Sequence, residues 1–319
     1  MKRKQSGFKI MMRLIKLVKP LAFFMVLAVI LGVTGFLCAI QITVLGSMTL
    51  LTAAGINGGL AIKTGCICII IFAVLRGFLH YGEQACNHYI AFKLLAIIRD
   101  KVFKSLRRLT PAKLEGKDKG NLISLITSDI ELLEVFYAHT ISPICIAFLT
   151  SLVMLIFIGR YSIWLMLVAL AAYITVGIII PLVSSKFNKN IGMTYRENSG
   201  SLSGYVLDSM RGLLESIRYN STDTRLNEMN EKTDELNSLQ KKLKKIEGHN
   251  ISITDISIIF FSITMLLVAI CLYQKGTIGF DGLIVSTVAM MSSFGPVAAL
   301  SNLAGNLTHT LASGERVLS

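Results

Sequence analysis

The chain has 319 residues, a formal net charge of +13 at pH 7 and a sequence pI near 9.5. With 53% hydrophobic residues and a mean hydropathy of +0.64, it carries more apolar surface than a water-soluble globular fold can bury. A positive balance can signal nucleic acid, but the distribution of these charges argues for a membrane surface, and no nucleic-acid partner is expected.

In chain order, residues 1–19 form a first unit. Phe8–Pro20 interleaves apolar residues with Lys9, Arg13, Lys16 and Lys19, the pattern of a basic amphipathic helix lying on a membrane face. The apolar stretch that follows is too long for a cleaved signal peptide, and no small-x-small site follows it. Residues 20–319 form a second unit. Its apolar runs are Leu21–Leu45, Leu60–Gly82, Val135–Ile158, Ile163–Val183, Ile256–Tyr273 and Gly282–Leu303. Each approaches the ~20 residues that cross a ~30 Å hydrocarbon layer as a helix. The expected fold is an all-α membrane protein with six transmembrane helices.

Seven Lys/Arg precede Pro20, nine lie between Lys93 and Lys119, and eleven lie between Lys186 and Lys245. The other connections hold only Lys63, Arg160 and Lys275. Basic residues accumulate on cytoplasmic loops, so the N-terminus and both basic segments are expected in the cytoplasm. Six crossings return the C-terminus to that side. Anionic lipid is the partner these charges would meet there.

The connections differ in length as well as charge. Those on the uncharged side are short: Gly46–Gly59, Gly159–Ser162 and Gln274–Asp281. Residues 83–134 and 184–255 are long and keep helical periodicity, with Leu94, Ile97, Ile98, Val102 and Leu106 spaced along the first. The first long stretch breaks at Leu109-Thr110-Pro111 and the Gly116 and Gly120 region. The second breaks around Tyr219–Thr224, where Asn220, Ser221, Thr222 and Asp223 are turn and cap residues. Two helical hairpins are expected to project inward, with tips near 111–119 and 219–226. Long inner hairpins suit a protein that passes motion to a cytoplasmic partner.

Few residues carry recognisable chemistry. Cys38, Cys66, Cys68, Cys86, Cys145 and Cys271 make neither a CxxC nor a zinc spacing and read as packing residues. No catalytic constellation and no metal site stands out. No G-x-x-x-x-G-K-[ST] phosphate loop occurs, so ATP hydrolysis would need a domain not present in these residues. Arg76, His80, Glu83 and His88 lie along the second span and its extension, with His88 drifting from the others. Ionisable groups at membrane depth usually face an interior or a watery cavity, so Arg76, His80 and Glu83 are candidates for a substrate pathway.

Over essentially its whole length the chain resembles the transmembrane domain of type I ABC exporters. Lys119-Gly120-Asn121-Leu122-Ile123-Ser124-Leu125-Ile126-Thr127-Ser128-Asp129 is similar to that family's G-[DE]-[LI]-[LI]-S-x-[LI]-x-x-D opening of the third span, with Asn121 at the usual acidic position. Ala312-Ser313-Gly314-Glu315-Arg316-Val317 is similar to its A-S-x-x-R-[IV] exit before a nucleotide-binding domain. The run from Arg76 to Lys93, then Leu133-Glu134-Val135-Phe136-Tyr137 and Ile141-Ser142-Pro143, resembles the CydC branch of the CydDC cysteine and glutathione exporters. His80 stands where that branch has arginine.

The resemblance implies a half-transporter that pairs with a second half, as a heterodimer or a homodimer, in a bacterial cell membrane. It implies ATP and Mg on a nucleotide-binding domain, fused after residue 319 or supplied separately. The coupling residues it implies are Pro111, Lys113, Glu115 and Lys117 at one tip and Tyr219, Thr222, Asp223 and Arg225 at the other. It also implies cysteine or glutathione-type cargo and haem at His88. The alternatives are a peptide, lipid or drug exporter, a channel, and a non-transporting haem-binding or sensory subunit. A thiol or haem cargo predicts a small polar or basic cavity; a lipid cargo predicts lateral openings lined by apolar side chains.

Overall fold

A computed structural model describes residues 19–56, 60–109, 130–131, 133 and 140–318, with side chains described except at 106, 109, 185–190, 193, 196–197 and 302–318. All regular structure among the described residues is helical, and six helices are long and apolar enough to cross a membrane. After a 3-10 turn at Lys19–Leu21, α1 runs Ala22–Ala53 and α2 Ile62–Leu109. Next come α3, Ser142–Gly159, and α4, Ile163–Ile174. A π-helical turn at Thr175–Ile179 leads into α5, Ile180–Arg211. The short α6, Leu213–Arg218, precedes α7, Thr222–Gln274, and α8, Phe280–Leu318. The expected amphipathic helix before Lys19, the first hairpin tip and the start of the third span lie outside the described residues.

Helix length separates the two sides of the molecule. The 48 residues of α2 and the 53 of α7 rise about 70–80 Å, more than twice the thickness of a hydrocarbon core. Only the N-terminal part of α2 and the C-terminal part of α7 are apolar, so both project far beyond the bilayer on the basic side. The opposite side has tight turns. Gly55 and Gly276 adopt φ of +79° and +70° there, values that disfavour any side chain. Ser162 caps α4, its Oγ accepting from Trp164 N–H at 3.3 Å.

The core forms around α8, which packs on α1, α3, α5 and α7, while α2 pairs chiefly with α1. One buried cluster joins Ile40 and Val44 to Met154, Leu165, Ala169, Met265, Ala289 and Phe294. A second, at the basic end, joins Leu21 to Ile90, Leu94 and Ile98 of α2 and to Ile130 and Leu133. Lipid is as apolar as leucine, so close packing rather than expulsion from water holds such helices together, and small residues at crossings matter most. A Cβ at Gly177 would lie 2.9 Å from Val297 Cγ1, and one at Gly282 3.0 Å from Tyr161 Cδ1. At Gly32 a Cβ would overlap Ile146 and lie 3.3 Å from Glu83 Cδ.

Candidate functional site

Along α2 the predicted polar stripe divides. Steps of four, three and four residues place Arg76, His80, Glu83 and Asn87 on one face, but burial rises sharply toward the basic end. Arg76 is exposed and forms no ion pair among the described residues. The His80 side chain is 63% exposed, with Nδ1 3.2 Å from Glu83 Oε2. Glu83 and Asn87 are buried, and Asn87 Nδ2 donates to Glu83 Oε1 at 3.3 Å. Asn87 carries no charge, so a scan for ionisable groups passed over it. The i, i+4 spacing from Glu83 was the signal that could have found it. His88 lies off this face, exposed, with its ring stacked on Phe92.

A cavity of about 470 Å³ opens between α3, α4, α5 and α8. Ala147, Leu155, Tyr173, Gly177 and Val297 form its inner wall, and the exposed Phe148, Ile178 and Leu182 line its mouth. Thr140 and Ser151 are polar exceptions in a hydrocarbon lining; the Tyr173 hydroxyl is engaged with Ser293 Oγ at 2.5 Å. The π turn shapes this wall. Pro181 has no N–H to offer the Gly177 carbonyl, and Ile180 N–H bonds Thr175 O five residues back. The extra residue in the turn presents Gly177 and Ile178 to the cavity. None of Arg76, His80, Glu83 or His88 lines it. Nearer the basic end, Ser301 ties α7 to α8: Asn250 Nδ2 donates to its Oγ at 3.1 Å, and Thr254 Oγ1 lies 2.9 Å away.

The second hairpin is described to its tip. It breaks twice, at Gly212 and again at Tyr219–Ser221, leaving α6 as a short helix between the long α5 and α7. Asn220 takes a left-handed φ of 52°, which asparagine tolerates better than most residues. The sequence showed the second break; the first was hidden because Gly212 stands alone in a helical pattern. The tip presents Leu214 and Tyr219, 83% and 80% exposed, with Leu213 and Ile217 beside them. Of the candidate coupling residues, Tyr219 and Asp223 are exposed and Thr222 is half-buried.

Arg225 reaches toward α5. Its Nη1 donates to Ser209 Oγ at 3.3 Å, and its guanidinium lies 5.8 Å from the Tyr205 ring centroid. Tyr205 in turn donates to Glu228 Oε2 at 2.6 Å. That bond holds the phenol above its ordinary pKa, Glu228's charge adds to the shift and Arg225 opposes it. Tyr205 therefore closes the hairpin by joining α5 to α7. Pro111, Lys113, Glu115 and Lys117 lie outside the described residues.

These features define a multi-pass helical membrane protein whose spans continue into long polar helical extensions. The chain belongs to the ABC transporter transmembrane region family, whose profile matches residues 21–297. It is 45% identical over 99% of its length to a probable ABC transporter ATP-binding/permease protein of Haemophilus influenzae, and spans 57% of that relative. It is 23% identical to the glutathione/L-cysteine transport system protein CydC of the same organism, over 55% of this chain and 31% of CydC. It is 29% identical to an ATP-dependent lipid A-core flippase of Shewanella frigidimarina, over 39% of this chain and 20% of the flippase. The full-length likeness is thus to a protein with no named cargo, and the likeness to CydC is more distant and partial.

Proposed function

We propose that the chain is the membrane half of an ATP-driven exporter, paired with a second half around a shared pathway, and that its cargo carries a substantial apolar part. The observation that supports the cargo is the lining of the α3–α4–α5–α8 cavity, hydrocarbon on nearly every side. Transfer of a small zwitterionic thiol into such a lining would strip its polar groups of water without replacement, a cost of several kcal/mol. An amphipathic molecule loses little there. The lipid flippase named among the relatives supports the same reading; CydC supports the thiol alternative.

The tip of the second hairpin supports coupling. Leu214, Ile217 and Tyr219 hold apolar surface at the end of a charged projection, beyond the reach of hydrocarbon. A nucleotide-binding domain, fused or separate, binds ATP and Mg and takes up this surface. Alternating access follows when ATP favours one arrangement of the spans and cargo binds the two arrangements unequally. The basic side faces the cytoplasm, with both termini there, in a bacterial cell membrane. Haem at His88 is tested separately: a His88-dependent Soret band in the purified protein would support it, and its absence would remove it.

Two measurements test the reading. In the assembled transporter, ATP hydrolysis should rise with an amphipathic lipid and stay at its basal rate with cysteine or glutathione. The reverse pattern would overturn the cargo assignment. Leu214→Asp with Ile217→Asp should uncouple hydrolysis from transport while leaving the melting temperature of the membrane domain unchanged. Retained transport in that variant would remove the tip from the mechanism.

A further inference from the structure

Where α1 meets α2 and α3, the chain buries a carboxylate that forms no ion pair with a lysine or arginine among the described residues. Glu83 is 5% exposed. Its described partners are the exposed His80 and the Asn87 amide. Arg76, two turns away on α2, forms no ion pair with it. Asn87 is 3% exposed, and its Oδ1 is buried with no hydrogen-bond partner among the described residues. Ser142 Oγ is buried and unpartnered in the same way.

Gly32 fixes how these groups meet. A side chain there would run into both Ile146 of α3 and Glu83 of α2, so those two residues converge on one spot of α1. Successive spans run in opposite directions. One turn toward the basic side therefore leads from Glu83 to Asn87 on α2 and from Ile146 to Ser142 on α3. Asn87 and Ser142 thus each stand one turn toward the basic side of the spot where Glu83 and Ile146 meet Gly32.

We infer that this junction binds one monovalent metal cation of sodium's size and hardness, held by Glu83, Asn87 Oδ1 and Ser142 Oγ. An ionised carboxylate out of water is costly until its charge is matched. Carboxylate, amide and hydroxyl oxygens are hard donors that suit an alkali cation rather than a soft transition metal. One carboxylate balances one positive charge, so a divalent ion would leave the site charged. A proton would satisfy Glu83 but needs only one of the three oxygens. The cation's ligands come from two helices pressed against a third, so occupancy favours the packed arrangement of α1, α2 and α3. The site does not touch the apolar cavity and stands whichever cargo the transporter moves.

The test is thermal unfolding of the purified full-length protein at fixed pH and ionic strength, with sodium chloride replaced by N-methyl-D-glucamine chloride. Sodium should raise Tm by about 2–4 °C when well above its dissociation constant. In Glu83→Gln the sodium dependence should vanish. Ser142→Ala and Asn87→Ala should raise the sodium concentration for half effect about tenfold. Equal Tm in the two salts overturns the inference, as does a Tm that follows pH but not sodium. A sodium shift that survives in Glu83→Gln places the cation elsewhere and overturns it too. If Glu83→Gln does not fold, Ser142→Ala decides: an unchanged half-effect concentration rejects the site.

Discussion

α2 and α8 are both apolar enough to cross a bilayer, yet 6% of the apolar window of α2 is buried against 50% of that of α8. The difference lies in what each helix offers its neighbours. α8 brings Ser286, Ala289, Ser293 and Gly295 to crossings with four other helices. Small side chains allow close approach, and hydroxyls can return their hydrogen bonds to the helix itself, as Ser293 does to Met290 O at 2.7 Å. The apolar part of α2 presents Ile67, Ile70, Ile71, Val74 and Phe78 outward. Apart from Gly65, its buried residues begin at Glu83, where the span passes into the basic extension. Hydropathy thus tells that a helix enters the membrane. Side-chain size along each face tells whether it meets protein or lipid.

The sharpest way to break this comparison is to enlarge one alanine in each helix. Ala289→Leu overfills a fully buried crossing and should cost about 1–3 kcal/mol, seen as a lower melting temperature in detergent. Ala73→Leu on the exposed face of α2 should leave it unchanged. Equal effects from the two would mean that α2 packs against protein as tightly as α8 does. A smaller loss, about 1 kcal/mol, is expected for Ser301→Ala, which removes the hydroxyl that meets Asn250 Nδ2 and Thr254 Oγ1, while Nδ2 keeps its bond to Ser301 O and Oγ1 its bond to Asn250 O.

Tyr173→Phe should cost about 0.6 kcal/mol, near the mean for hydrogen bonds between spans, and can be read by the same melt. In Tyr173→Phe/Ser293→Ala the second substitution should add only the loss of the Ser293 Oγ bond to Met290 O, because the bond between the two side chains is already gone. The smallest effect belongs to the exposed hairpin. The Tyr205 phenol is raised by its bond to Glu228, so its contribution is complete below the ordinary tyrosine pKa and is lost as pH rises through the raised value. Hydrogen exchange in α5 and α7 around the tip should accelerate over that alkaline window in the wild type and not in Tyr205→Phe.

How far these features were legible varies with the kind of force behind them. The six spans follow from the length of each apolar run, because the hydrocarbon thickness is a fixed ruler. The ionisable residues of α2 announced themselves by cost. Their fates did not: Glu83 turns inward with Asn87 while Arg76 stays exposed, and that division depends on where α1 and α3 lie. Arg225 read as a residue for a partner; that it also meets Ser209 and the Tyr205 ring depends on which helix lies opposite it in the hairpin.

By itself the sequence determined membrane insertion, the count of spans, the side on which the long segments lie if basic residues stay in the cytoplasm, and the break near Asn220. These are local properties of composition and length, decided within twenty or so residues. Only the tertiary structure decided that α8 is central and α2 peripheral, that the cavity is apolar, and that Glu83 and Ile146 converge on Gly32. Each of those needs residues far apart in the chain to meet. In a medium where every span is equally apolar, the shape of facing surfaces chooses the partners.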